Sequence, residues 1–143
     1  MESPLFMSAT APSSPCILLV EDSADIRETT KDLLEFSGYT VLEAIGGNRA
    51  RVVLGEQAVD LVLTDALMPD GGGHELVRFI RSDERFRRLP VIMVSARAEK
   101  KDIQFAMENG ADRYLIKPYN APELFATIAA ALAHGADQSA GLG

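Results

Sequence analysis

Two adjacent acids, Glu21 and Asp22, a third at Asp65, a hydroxyl at Ser95 and a lysine at Lys117 are the residues of this chain whose types could do chemistry together. Each follows a short apolar run, and four separate segments supply them. Carboxylates drawn into one site resist joint ionisation, so Glu21, Asp22 and Asp65 in company call for a compensating cation. The donor set is hard oxygen, with no His or Cys in the pattern, and positions must remain for water and phosphate. That combination favours Mg²⁺ over Zn²⁺ or copper. Lys117 and the Ser95 hydroxyl then offer donors to the oxygens of a transferring phosphoryl group, a reaction catalysed mostly by positioning and charge neutralisation. Asp65, at the centre, is the candidate nucleophile.

The elements that must position these residues follow from the apolar pattern. Cys16–Val20, Tyr39–Ala44, Asp60–Thr64, Pro90–Val94 and Arg113–Ile116 read as five strands, most of them apolar almost throughout and hence buried on both faces. Amphipathic segments fill the gaps: Ala24–Ser37, Gly47–Leu54, Gly73–Ser82, Glu99–Glu108 and Ala121–His134 read as helices. Gly38 suits the left-handed turn after the first helix, while Asn120 and Pro122 suit the start of the last. Five strand–helix repeats predict an α/β, doubly wound, five-stranded parallel sheet in a three-layer sandwich, with its ligand site beyond the carboxyl ends of the strands. That is the edge at which the five polar residues fall.

The runs Leu18-Leu19-Val20-Glu21-Asp22, Leu63-Thr64-Asp65-Ala66-Leu67-Met68-Pro69, Val94-Ser95-Ala96 and Leu115-Ile116-Lys117-Pro118 resemble the signature of response-regulator receiver domains of two-component and phosphorelay signalling. The likeness spans roughly residues 16 to 134. It implies a flavodoxin-like receiver fold and phosphorylation of Asp65. It also implies Mg²⁺ organised by Glu21, Asp22, Asp65 and the Leu67 backbone carbonyl, and Lys117 paired with the phosphate before a cis Pro118 peptide. Ser95 resembles the switch hydroxyl, and Tyr114 the aromatic that responds to it through the fourth helix, fifth strand and fifth helix. The implied donor is a sensor histidine kinase or a histidine phosphotransfer protein, docking near Ile26, Arg27, Thr30 and Pro118-Tyr119. The chain would then be no enzyme beyond phosphotransfer to, and hydrolysis from, its own Asp65.

Two positions depart from that pattern. Asp70 is followed by Gly71, Gly72 and Gly73, which predicts an unusually flexible loop. Leu67 is apolar where many relatives carry a polar side chain, which predicts exclusion of the hydrolytic water and a long-lived phosphoryl state.

Bulk properties narrow the alternatives. At 143 residues the chain is one domain in size, and its net charge of −7 argues against a direct nucleic-acid partner. Cys16 is the only cysteine, so no internal disulfide and no multi-thiolate metal site can form. No apolar run approaches the ~20 residues of a membrane-spanning helix. A soluble, cytoplasmic protein without membrane insertion is expected. Residues 1–15 and 135–143 read as flexible tails, and with no output domain after the fifth helix a separate output protein is expected. His74, His134 and the cluster Arg78, Arg81, Arg85, Arg87 and Arg88 read as solvated or helix-end residues, and Cys16 as a small buried one. A phosphorylation-independent interaction module on the same fold is the alternative function. A phosphatase or flavodoxin-like redox protein is disfavoured, because no Asp-x-Asp pair and no Gly/Ser/Thr-rich phosphate loop follows the first strand.

Overall fold

The computed structural model describes residues 14–142, with side chains as far as His134. Its strands are β1 (Cys16–Val20), β2 (Thr40–Ala44), β3 (Leu61–Asp65), β4 (Val91–Ser95) and β5 (Arg113–Ile116). The helices between and after them are α1 (Ala24–Phe36), α2 (Gly47–Glu56), α3 (Gly73–Ser82), α4 (Lys100–Glu108) and α5 (Ala121–Leu142). All neighbouring strands are parallel, in the order β2-β1-β3-β4-β5. The order reverses direction between β1 and β3, so a crevice opens at their carboxyl ends.

Strand periodicity of two divides the core into two layers. Ile17, Leu19, Leu61, Leu63, Ile92, Val94 and Leu115 pack with Leu34 of α1 and with Leu124 and Ile128 of α5. Leu18, Val20, Val62, Val91 and Met93 pack on the other face with Ala50 and Leu54 of α2, Leu76, Val77 and Ile80 of α3 and Ala106 of α4. The apolar runs lack polar alternation because both faces of the sheet are covered.

The helix ends follow from local chemistry. Ser23 caps α1 through its hydroxyl, which accepts the Ile26 N–H at 3.4 Å. Asn120 and Glu123 exchange hydrogen bonds at the start of α5: the Glu123 N–H donates to Asn120 Oδ1 at 2.8 Å, and the Asn120 N–H to Glu123 Oε1 at 3.3 Å.

Several boundaries differ from those expected. Tyr39 is not in β2, because its N–H closes the end of α1 on Leu34 O after Gly38 takes φ 97°. Both β3 and β4 start and end one residue later than predicted, so Asp65 and Ser95 are the last residues of their strands. Helix α1 stops at Phe36 with Ser37 as its cap, α2 runs on to Glu56, and Glu99 caps α4 rather than joining it. Helix α5 continues eight residues past His134, since its alanine-rich sequence outweighs Gly135. The expected amino-terminal tail lies almost wholly outside the described residues.

The glycine run after Asp70 also has a role other than looseness. Gly71 takes φ 89°, and the carbonyls of Asp70 and Gly71 accept the N–H groups of Asn48 and Gly47 at 2.9 Å each. That loop is held against the start of α2.

Candidate functional site

Glu21, Asp65 and Lys117 continue the residue parity of Leu19, Leu63 and Leu115, so they extend the α1/α5 layer beyond the sheet edge. Glu21 is anchored to the sheet by its N–H on Ala44 O at 3.0 Å, and Lys117 by its N–H on Ser95 O at 2.9 Å. The Lys117 ammonium lies 2.9 Å from Asp65 Oδ1 and 3.5 Å from Glu21 Oε1. Glu21 Oε2 accepts the Ser23 N–H at 2.9 Å. Asp22 is exposed, yet its carboxylate joins those of Glu21 and Asp65 with ligand oxygens all within 4.8 Å of one another. The structure therefore brings the three predicted acids and the lysine into one cluster.

Charge in this cluster is unbalanced. Burial and the neighbouring Glu21 carboxylate push Asp65 up to about 7, although Lys117 pulls the other way. Burial also opposes ionisation of Glu21, but hydrogen bonds with Asp65 and the Ser23 N–H, together with Lys117, hold it below the usual carboxylate range. Desolvation works against the Lys117 ammonium, and the Asp65 and Glu21 carboxylates more than offset it, so its pKa is raised. One ammonium does not neutralise two buried carboxylates and a third at the rim. The all-oxygen donor set and this surplus of negative charge fit a hard divalent cation such as Mg²⁺.

Ser95 and Tyr114 occupy the other layer. Ser95 is buried, and its Oγ accepts the Arg97 N–H at 3.1 Å. Half-buried Tyr114 donates its hydroxyl to Arg97 O at 2.8 Å, so both predicted switch residues grip the same residue of the β4–α4 loop. They line a cavity of about 250 Å³ with Ala66, Leu67, His74 and Phe105. Leu67 extends 67% of its surface to solvent. His74 is not a solvated helix-start residue: its ring meets Phe105 edge-on at 4.7 Å, and its Nδ1 is buried without a partner.

The residues expected to meet a phosphoryl donor differ in exposure. Ile26 and Pro118 are exposed, but Thr30 is buried. Arg27 donates to Glu21 O at 2.9 Å and to Glu43 Oε1 at 3.1 Å. Its hold on the turn bearing Glu21 and Asp22 is a structural role the sequence reading missed. The available signal was a basic side chain near a helix N-terminus, where the helix dipole disfavours it. Arg81, placed with the solvated arginines, instead reaches the part-buried carbonyls of Gly110 and Leu89 and the Asp112 carboxylate. Cys16 is half-buried and sits at the strand start, its N–H on Asp60 Oδ2 at 2.7 Å. The Lys117–Pro118 peptide is cis.

Among the described residues no helix is long and apolar enough to cross a membrane. Residues 17–129 match the family described as the response regulator receiver domain. The phosphate regulon transcriptional regulatory protein PhoB of Pseudomonas aeruginosa is 39% identical over 116 residues, which are 81% of this chain and 51% of that protein. The transcriptional regulatory protein CpxR of Klebsiella pneumoniae is 40% identical over 116 residues, 81% of this chain and 48% of that one. The chain thus spans about half the length of these curated relatives. Among solved structures, chemotaxis response regulator CheY4 of Vibrio cholerae aligns with TM-score 0.80 and 28% identity over 84% of this chain and 100% of that one. The receiver domain of a signal transduction histidine kinase from Syntrophus aciditrophicus aligns with TM-score 0.79 and 30% identity, covering 85% of this chain and 92% of that one. With the strand-end cluster, the fold and the family match in agreement, the chain belongs to the response regulator receiver domains of phosphorylation-based signalling.

Proposed function

We propose that this chain accepts a phosphoryl group on Asp65 from a phosphohistidine donor and reports it to a partner protein through Ser95 and Tyr114, with residues 16–134 as the responsive unit. The observation that carries the reading is Asp65 at the end of β3, with the Lys117 ammonium 2.9 Å away and two further carboxylates beside it. Glu21, Asp22, Asp65 and the Leu67 carbonyl would hold Mg²⁺, which supplies charge neutralisation for a phosphoryl group in transit.

An Asp65 oxygen attacks the phosphorus in line, the new P–O bond forms as the donor's P–N bond breaks, and the imidazole leaves with the bonding pair and takes a proton. Lys117 stabilises the charge spread over the transferred oxygens and favours the ionised Asp65 that attacks, against burial and Glu21. The aspartyl phosphate brings about −1.5 to −2 of charge and new acceptor oxygens. Ser95 would exchange its bond with the Arg97 N–H for one in which its hydroxyl donates to the phosphate. Tyr114, held by the same Arg97, would then be free to move. A partner reading that change would meet α4, β5 and α5, where Phe105, Met107 and Ile116 are exposed.

Intact mass after incubation with acetyl phosphate and Mg²⁺ tests this reading. A single alkali-labile phosphoryl adduct, absent with chelator and absent in Asp65→Asn, is expected. No adduct, together with no response to beryllofluoride, would leave the interaction-module reading in its place.

A further inference from the structure

Two glycine-bearing segments meet beside the acidic cluster. Gly46 stands at the N-cap of helix α2 and has no side chain with which to cap it. The N–H groups of Gly47 and Asn48 are instead taken by the carbonyls of Gly71 and Asp70, at 2.9 Å each. Asn48 Nδ2 adds a contact to Asp70 Oδ1 at 3.4 Å. The fit leaves no room: a Cβ on Gly46 would overlap the Asp70 carbonyl oxygen, and one on Gly47 would come within 3.0 Å of the carbonyl oxygens of Gly71 and Gly72. At the far end of the loop the Gly73 N–H donates to Ala66 O at 2.9 Å, and a Cβ on Gly73 would overlap the Asp65 carbonyl oxygen. The segment from Asp65 to Gly73 is therefore tied to the acceptor strand at one end and to α2 at the other. Among the described residues, Leu67 to Gly71 make no other backbone hydrogen bond.

We propose that Gly46, Gly47 and Asn48 are positioning residues for the metal site: the start of α2 clasps the β3–α3 loop and so fixes the Leu67 carbonyl relative to Asp65. This rests on the reading in which that carbonyl completes the Mg²⁺ shell. None of the three touches the ion. They act by limiting where the loop can go, as outer contacts orient the ligands of a metal. The dependence is mutual, because a loop that shifts also uncaps α2.

The test is a Mg²⁺ titration of the full chain followed by amide NMR shifts of the site residues, beside metal-free thermal melts. Gly46→Ala drives a methyl into the Asp70 carbonyl. Asn48→Pro deletes one clasp donor in a first helical turn, where proline is tolerated, and Asn48→Ala removes only the side-chain link. Gly55→Ala, in the same helix with nothing within 4 Å of its added Cβ, is the control. Gly46→Ala and Asn48→Pro should bind Mg²⁺ about tenfold more weakly with the fold retained, and Gly55→Ala as wild type. Should Gly46→Ala not fold, the two Asn48 variants decide. Folded clasp variants that bind Mg²⁺ with wild-type affinity, whatever their melting temperatures, would overturn the proposal and leave the clasp purely structural. A wild type that binds no more Mg²⁺ than Asp65→Asn would overturn the metal-site reading and the clasp together.

Discussion

The two ends of the parallel sheet carry charged residues of the same kinds in opposite states of balance. At the amino end of β4 and β5, Arg81 donates to Gly110 O at 2.9 Å, Arg87 O at 3.0 Å, Leu89 O at 2.7 Å and Asp112 Oδ2 at 2.7 Å. Asp112 Oδ2 also accepts the Val91 N–H at 2.8 Å. One cation meets one carboxylate and three carbonyls, and the loops entering β4 and β5 are sewn to α3. At the carboxyl end a single ammonium serves Glu21 and Asp65 with Asp22 close by, and Asp65 is pushed to about 7. A charged cluster whose donors and acceptors match is an anchor. One with surplus charge on convergent ligand atoms is set up for something that arrives later.

Breaking the balanced end should have the larger effect on folding. Arg81→Met leaves Asp112 and three loop carbonyls short of a donor, and should lower unfolding free energy by about 2–3 kcal/mol in urea titrations. The folded fraction should still take up a phosphoryl group from acetyl phosphate. Loss of phosphorylation without loss of stability would reverse the assignment of the two ends.

The unbalanced end should show itself in pH dependence. An acid whose pKa is raised by folding binds its proton more tightly in the native than in the unfolded state, so stability falls as pH rises through the interval between the two values. For Asp65 that interval runs from 3.8 to about 7. The lowered Glu21 has its full stabilising contribution above its ordinary value of 4.5 and loses it only as pH falls further, so it leaves the slope between pH 5 and pH 8 to Asp65. In metal-free protein a net decline of about 2 kcal/mol between pH 5 and pH 8 is expected from denaturant midpoints, and Asp65→Asn should flatten it. Equal slopes in the two proteins would remove Asp65 as the source.

Smaller effects separate the parts of the unbalanced end. Ser95→Ala, which deprives the Arg97 N–H of its acceptor, should cost about 1 kcal/mol and slow phosphorylation without abolishing it, while weakening the shift change at Tyr114 on beryllofluoride addition. Leu67→Asn, at a largely exposed side chain, should change stability by less than about 0.5 kcal/mol yet shorten the life of the phosphoryl adduct. Rapid dephosphorylation of wild type, unchanged in Leu67→Asn, would count against water exclusion by Leu67.

The sequence revealed the unbalanced end more readily than the balanced one, for a physical reason. Glu21, Asp65, Ser95 and Lys117 each follow or end an apolar run, so a strand pattern alone delivers them to one edge. Arg81 lies among other arginines on α3 and the following loop, and only the fold shows that it points at Gly110 and Asp112 from β5's approach. Strand boundaries at Asp65 and Ser95 slipped by one residue because a polar side chain at a strand end does not reveal whether its backbone still pairs, as Asp65 does with Val94. The Gly71–Gly73 run suggested freedom, whereas Gly71 lies against Asn48 and Gly73 against Asp65 and Ala66, each closer than a Cβ would allow.

The central claim, that the carboxyl edge carries negative charge reserved for a cation, is tested most directly by comparing wild type and Asp65→Asn in chemical denaturation at pH 8, with and without Mg²⁺. Asp65→Asn should be the more stable protein without the metal and the less stable one at saturating Mg²⁺, because only the wild type gains from binding. An Asp65→Asn variant that is less stable under both conditions, with no Mg²⁺ response in wild type, would contradict the account.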